Sequence, residues 1–220
     1  HIPINILFAA IYDTFSNELT FDLSTTPRQT KNGVYKIPVV AKINYEGSKE
    51  MVIPVPIDFK DNNKVIFETQ FKAVEPLFEG DQKFYINTPS FEEHIAEKLY
   101  IIAHNTREDI PNTRVKDFYD IYKLFGKNYD EDKFSLYFEA MVMMYGMNLD
   151  DINADFLDKE FVKRHEELWT SIKEKYQFVD KDVDLSEAVF FTKAVLSEQI
   201  QKIKSGELKK QAYSLVRKKG

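Results

Sequence analysis

The hydrophobic period of this chain changes once, near residue 90, and that change limits the folds open to it. Before it the pattern alternates. Thr20-Phe21-Asp22-Leu23-Ser24 does so, and Ile37, Val39, Ala41, Ile43 and Tyr45 share one face of the run from Lys36. After the turn Glu46-Gly47-Ser48 the run Met51–Phe59 resumes with Val and Ile, so the two runs predict an antiparallel hairpin. Pro38, Pro54 and Pro56 place parts of these strands at an edge or a bulge. Lys83 to Ile86 reads as one more short strand.

Beyond residue 90 the period is helical. Ser90 followed by Glu93 is a capping box that starts a helix near Phe91, with Ile95, Leu99 and Ile102 on one face. A second helix spans Arg114 to Phe125 on the stripe Val115, Phe118, Tyr122 and Phe125. Phe134, Phe138, Met141, Val142 and Tyr145 form a third stripe, ending near Gly146. Phe161, His165, Leu168, Trp169, Ile172 and Tyr176 form a fourth, read as core, and 186–204 make a fifth helix. The expected fold is α+β, with a β-rich part over 1–90 and a helical part over 91–220.

Composition removes several kinds of chemistry. There is no Cys, so disulfides, thiol catalysis and Cys-based metal sites are excluded. The four His, at 1, 94, 104 and 165, form no metalloprotease pattern, and seven Gly leave little room for a Gly-rich phosphate loop. Asp180-x-Asp182-x-Asp184 starts like a calcium loop, but Leu185 stands where Gly is needed and Phe191 where Glu is needed. No apolar run is long enough for a membrane helix and no signal peptide opens the chain; we expect a soluble, cytoplasmic protein with no membrane partner. Residues 202–220 hold seven bases (Lys202, Lys204, Lys209, Lys210, Arg217, Lys218, Lys219) against one acid, Glu207, in a chain of net charge −6. That basic tail is either a polyanion contact or a solvated, Lys-rich helix end.

The densest polar constellation is Glu93, Glu97 and Lys98, then Arg114, Lys116, Asp117 and Asp120. Asp117 and Asp120 are three apart and share a helix face, opposite the Val115/Phe118/Tyr122 stripe. Two adjacent carboxylates repel unless a cation stands near them. Lys116 reaches Asp120 at i, i+4, and Lys98 reaches the same place if the two helices pack as a hairpin. The cluster is either a surface salt-bridge network or a site. Asp58 ends the apolar run Val52–Ile57, where a carboxylate suits a metal ion held over a sheet; it equally suits a loop start beside Lys60, Asp61, Asn62 and Asn63.

Glu93-x-x-Ala96-Glu97-Lys98-Leu99 together with Arg114-Val115-Lys116-Asp117-Phe118-Tyr119-Asp120-Ile121 resembles the nucleotidyltransferase AbiEii/AbiGii toxin family. The likeness extends to the strand pair ending at Asp58 and through the Leu168-Trp169 helix. It implies a partial polymerase β-like nucleotidyltransferase core, with an antiparallel or mixed sheet, followed by a helical domain. It implies a toxin of a toxin–antitoxin or abortive-infection system that transfers a nucleotide from NTP to an RNA acceptor, tRNA among them, with Mg²⁺. Carried over by position, Asp58, Lys98 and Asp120 are the catalytic residues, and Asp58 is the metal ligand. Lys98, Arg114, Lys116 and Asp117 bind the nucleotide. A cognate antitoxin is compatible with the likeness without being required by it. The family opens with a Gly-Ser followed by an Asp-x-Asp; here Gly47-Ser48 has no Asp-x-Asp after it. We therefore expect a chain that starts downstream of that motif and is inactive alone. The alternative is a non-catalytic RNA- or protein-binding relative.

Overall fold

A computed structural model describes residues 19–30, 34–43, 50–60, 67–74, 83–105, 110, 114–125 and 127–219. By their contacts the residues fall into two compact units, His1–Lys64 and Val65–Gly220. The sequence period divides the chain at residue 90; the contacts divide it after Lys64.

The first unit is an antiparallel sheet of β1 (Leu19–Leu23), β2 (Arg28–Gln29), β3 (Val34–Ile43) and β4 (Met51–Lys60). The long central strand β3 pairs with β4 along its whole length and with β1 and β2 in turn on its other side. Ile37, Val39 and Ala41 are buried, as their alternation requires. Ile43 keeps its place in β3, while its side chain, Tyr45 and the turn Glu46–Ser48 lie outside the described residues.

Proline decides where this ladder is interrupted. Pro38 sits in the central strand, where a missing N–H would break a bond. β1 ends opposite Val39 and β2 begins opposite Lys36, so Pro38 falls in the gap between them. The Pro38 carbonyl faces that gap and accepts from the Ser24 amide at 2.8 Å and the Ser24 hydroxyl at 3.0 Å. Pro38 stands opposite Pro56, and Val40 opposite Pro54. By strand parity the backbone nitrogens of Pro54 and Pro56 therefore point away from β3, to the side of β4 that no described strand pairs.

The second unit opens with the hairpin β5 (Thr69–Val74) and β6 (Phe84–Pro89). β6 lies where Lys83 to Ile86 predicts a strand, whereas β5 was not expected. Six helices follow among the described residues: α1 (Phe91–His104), α2 (Val115–Leu124), α3 (Glu131–Met144), α4 (Lys159–Lys175), α5 (Leu185–Ser205) and α6 (Lys209–Lys219). Four caps explain their ends. Ser90, Asp130 and Asp158 accept from the amides of Glu93, Lys133 and Phe161, and Gly206 closes α5 at φ 73°. The architecture is mixed α+β, as expected.

The core of this unit is helical. α1 packs on α3, and α2 packs on α1, α4 and α5. Trp169, Phe118, Phe134, Phe138 and Phe161 are fully buried. His165 is buried too, its Nδ1 2.8 Å from the Phe161 carbonyl, as the core reading of that stripe required. Tyr145, assigned to the third stripe, is instead exposed; α3 ends one residue earlier, and Tyr145 becomes its C-cap. The basic tail is largely α6, a helix the sequence reading did not find, which packs on α3 with Ala212 fully buried. Ahead of β5, the Glu93 carboxylate accepts from the amides of Phe67 and Glu68 at 2.9 and 3.2 Å. That bond ties the entry to the hairpin to the first turn of α1.

Candidate active site

α1 and α2 are held together by one lysine. Lys98, in the middle of α1, donates to Asp117 Oδ1 at 2.7 Å and to Asp120 Oδ2 at 2.8 Å. Arg114 donates to the other oxygen of Asp117 at 3.0 Å, and Lys116 reaches Asp120 at 3.2 Å. Three cations therefore converge on two carboxylates. Each carboxylate bridges a cation of its own helix to the lysine of the neighbouring one.

This is a partly buried network rather than a surface one. The side chains of Lys98, Asp117 and Asp120 are 14, 6 and 18% exposed. A helical wheel places both aspartates opposite the Val115/Phe118 stripe and so in solvent. In the structure α2 is enclosed by three other helices, and the aspartate face is turned to α1. Burial works against the Lys98 ammonium, but the hydrogen bonds and charges of Asp117 and Asp120 outweigh it. Lys98 is held charged, with its pKa above the ordinary lysine value.

Two further residues border the network. His94 stands one helical turn before Lys98. Its ring keeps contact with solvent, yet desolvation first, and the Lys98 charge next, lower its pKa. Phe178, in the loop between α4 and α5, has its ring centroid 5.1 Å from Lys116 Nζ and is 61% exposed. Neither was singled out from sequence. An unpatterned His on a helix and one Phe in a loop give no periodic signal.

Asp58 stands in β4 opposite Lys36, and its side chain lies outside the described residues. Among the described residues, no group of three or more His, Asp or Glu side chains is placed to hold a metal ion. Asp117 and Asp120 are already engaged by cations.

An antiparallel sheet unit and a helical unit fit a nucleotidyltransferase-like α+β fold. The family model for the nucleotidyl transferase AbiEii toxin of type IV toxin–antitoxin systems matches residues 7–193, and the chain belongs to that family. A search of curated proteins finds no match. No helix among the described residues is long and apolar enough to cross a membrane.

Proposed function

We propose that this chain serves nucleotidyl transfer from an NTP to an RNA acceptor, tRNA included, with Lys98 at the triphosphate. The observation that carries the reading is Lys98 held charged between Asp117 and Asp120, with Arg114 and Lys116 alongside. In the reaction an RNA hydroxyl attacks the α-phosphorus, gives up its proton to solvent, and the bond to the bridging oxygen breaks. Pyrophosphate leaves carrying the new negative charge. A fixed ammonium at that charge is worth more than one in water, because it needs no reorganisation as the reaction proceeds. Asp117 and Asp120 hold the flexible lysine stem in one place. Arg114 and Lys116 keep the surroundings cationic.

Mg²⁺ is proposed as the ion that accompanies the triphosphate and would supply charge neutralisation there. Asp58 is proposed as its ligand on the family likeness. A cognate antitoxin follows from the type of system to which the family belongs. The alternative, a non-catalytic RNA- or protein-binding relative, is favoured by one observation: both carboxylates of the cluster already have cationic partners.

The test is incorporation of labelled NTP into total tRNA by the protein that carries this chain, beside its Lys98→Ala and Asp120→Ala variants. Circular dichroism confirms that each is folded. We expect a loss of about a hundredfold or more in each variant, the cost of one lost charge-stabilising group. Full incorporation by either folded variant would falsify the assignment. RNA retention without incorporation by the unaltered protein supports the binding relative.

A further inference from the structure

We propose that Phe178 is the stacking platform for the nucleobase of the NTP whose phosphates Lys98 engages, a reading that rests on the function proposed above. A single exposed aromatic is ordinary on a protein surface. What sets Phe178 apart is how firmly its loop is held. The Tyr119 hydroxyl donates to the Phe178 carbonyl at 3.2 Å and accepts from the Asp180 amide at 3.0 Å. Trp169 Nε1 donates to the Val183 carbonyl at 3.2 Å, and Lys123 pairs with Asp180 at 3.0 Å. Val179 and Val183 are buried. On the preceding side the Tyr176 amide bonds the Ile172 carbonyl at 3.0 Å, so the loop is anchored on both sides of a residue that remains 61% exposed.

The position of that ring connects it to the charged network. Lys116 contacts the ring of Phe178, the same Lys116 donates to Asp120, and Asp120 accepts from Lys98. Those three contacts laid end to end are shorter than an extended nucleoside triphosphate. A base on Phe178 and phosphates at Lys98 are therefore within the reach of one molecule. A flat, rigid ring stacks on any nucleobase, since every base has a π-face. Fixing the ring before the ligand arrives lowers the ordering cost of binding. The Lys116 ammonium lies over the ring, 5.1 Å from its centroid, and adds positive potential there.

The experiment measures binding of ATP, CTP, GTP and UTP, and of inorganic tripolyphosphate, to the protein carrying this chain. The variants are Phe178→Ala, Phe178→Leu, Phe178→Trp and Lys98→Ala. Phe178→Ala should weaken NTP binding by about 5- to 150-fold, the span of one base–aromatic stack. It should leave tripolyphosphate unaffected, because that probe has no base. Phe178→Leu should behave as Phe178→Ala. Phe178→Trp should bind as the unaltered protein does, and its emission should be quenched by NTP and not by tripolyphosphate. NTP affinity unchanged in Phe178→Ala, or restored by Phe178→Leu, overturns the stacking role. So does quenching by an RNA oligonucleotide but by no NTP, which would place the acceptor there. The Lys98 arm is separate: tripolyphosphate bound equally by Lys98→Ala overturns the phosphate site. Failure of the unaltered protein to bind any of the probes overturns both.

Discussion

Tyr119 holds Phe178 from inside the helical core. Its ring lies against Trp169, with centroids 5.8 Å apart, while its hydroxyl bonds the backbone at Phe178 and at Asp180. One side chain therefore joins the core to the loop beside the charged network, and the loop's shape depends on the packing of α2 against α4.

Tyr119→Phe keeps the ring and removes both backbone bonds. We expect a stability loss of about 1–2 kcal/mol by urea denaturation, the ordinary net worth of such bonds. Proteolysis within 176–184 should accelerate. An unchanged midpoint and cleavage rate would show that the loop is held by Trp169 and Lys123 alone.

Asp117→Ala leaves Lys98 partly buried with one carboxylate. Breaking one side of such a pair costs about 3 kcal/mol, measured by chemical denaturation. The pH dependence follows from the direction of the Lys98 shift. Its folded pKa lies above the ordinary value of 10.5, so its contribution is complete below pH 10.5. It is lost as pH rises through the folded value. The stability difference between the two proteins should therefore shrink at strongly alkaline pH; a difference independent of pH would mean that Asp117 acts by packing.

Glu139 is 1% exposed, and neither of its carboxylate oxygens has a hydrogen-bond partner among the described residues. Burial raises its pKa, and the Lys209 charge offsets this only in part. An acid with a raised folded pKa is least unfavourable when protonated. Its contribution worsens as pH rises from the ordinary carboxyl value through the folded one. Glu139→Met should stabilise the protein by about 1–3 kcal/mol at pH 7, and by less at pH 4. Equal gains at both pH values would show that folding does not raise the pKa of this carboxyl.

Trp169→Ala should cost about 3–5 kcal/mol, the range for large buried aromatics. The ring is fully buried, and its indole nitrogen bonds Val183. Thermal melting checks this; a variant as stable as the unaltered protein would contradict the packing.

What the sequence made legible follows from which signals are local. Ser90 three residues before Glu93 marked the start of α1, because a cap is a short-range contact. The spacing of Lys116 and Asp120 announced their salt bridge, because helical neighbours are fixed by geometry. Burial of those aspartates was not legible, since it depends on three other helices enclosing α2. β5 escaped notice because its residues are mostly exposed, so no apolar face marks it. α6 escaped because its sequence is dominated by lysine around a single fully buried residue, Ala212.

The prolines of β4 bear on how the protein behaves when concentrated. Met51, Val52, Ile53 and Val55 are exposed along a strand with one side unpaired by any described strand. Such a row would ordinarily recruit a like strand from another molecule and seed a growing assembly. Pro54 and Pro56 remove two of the donors such an addition would need. The strand can thus keep an apolar surface without becoming a nucleus for fibrils, and a variant with both prolines replaced by valine should turn turbid sooner on incubation.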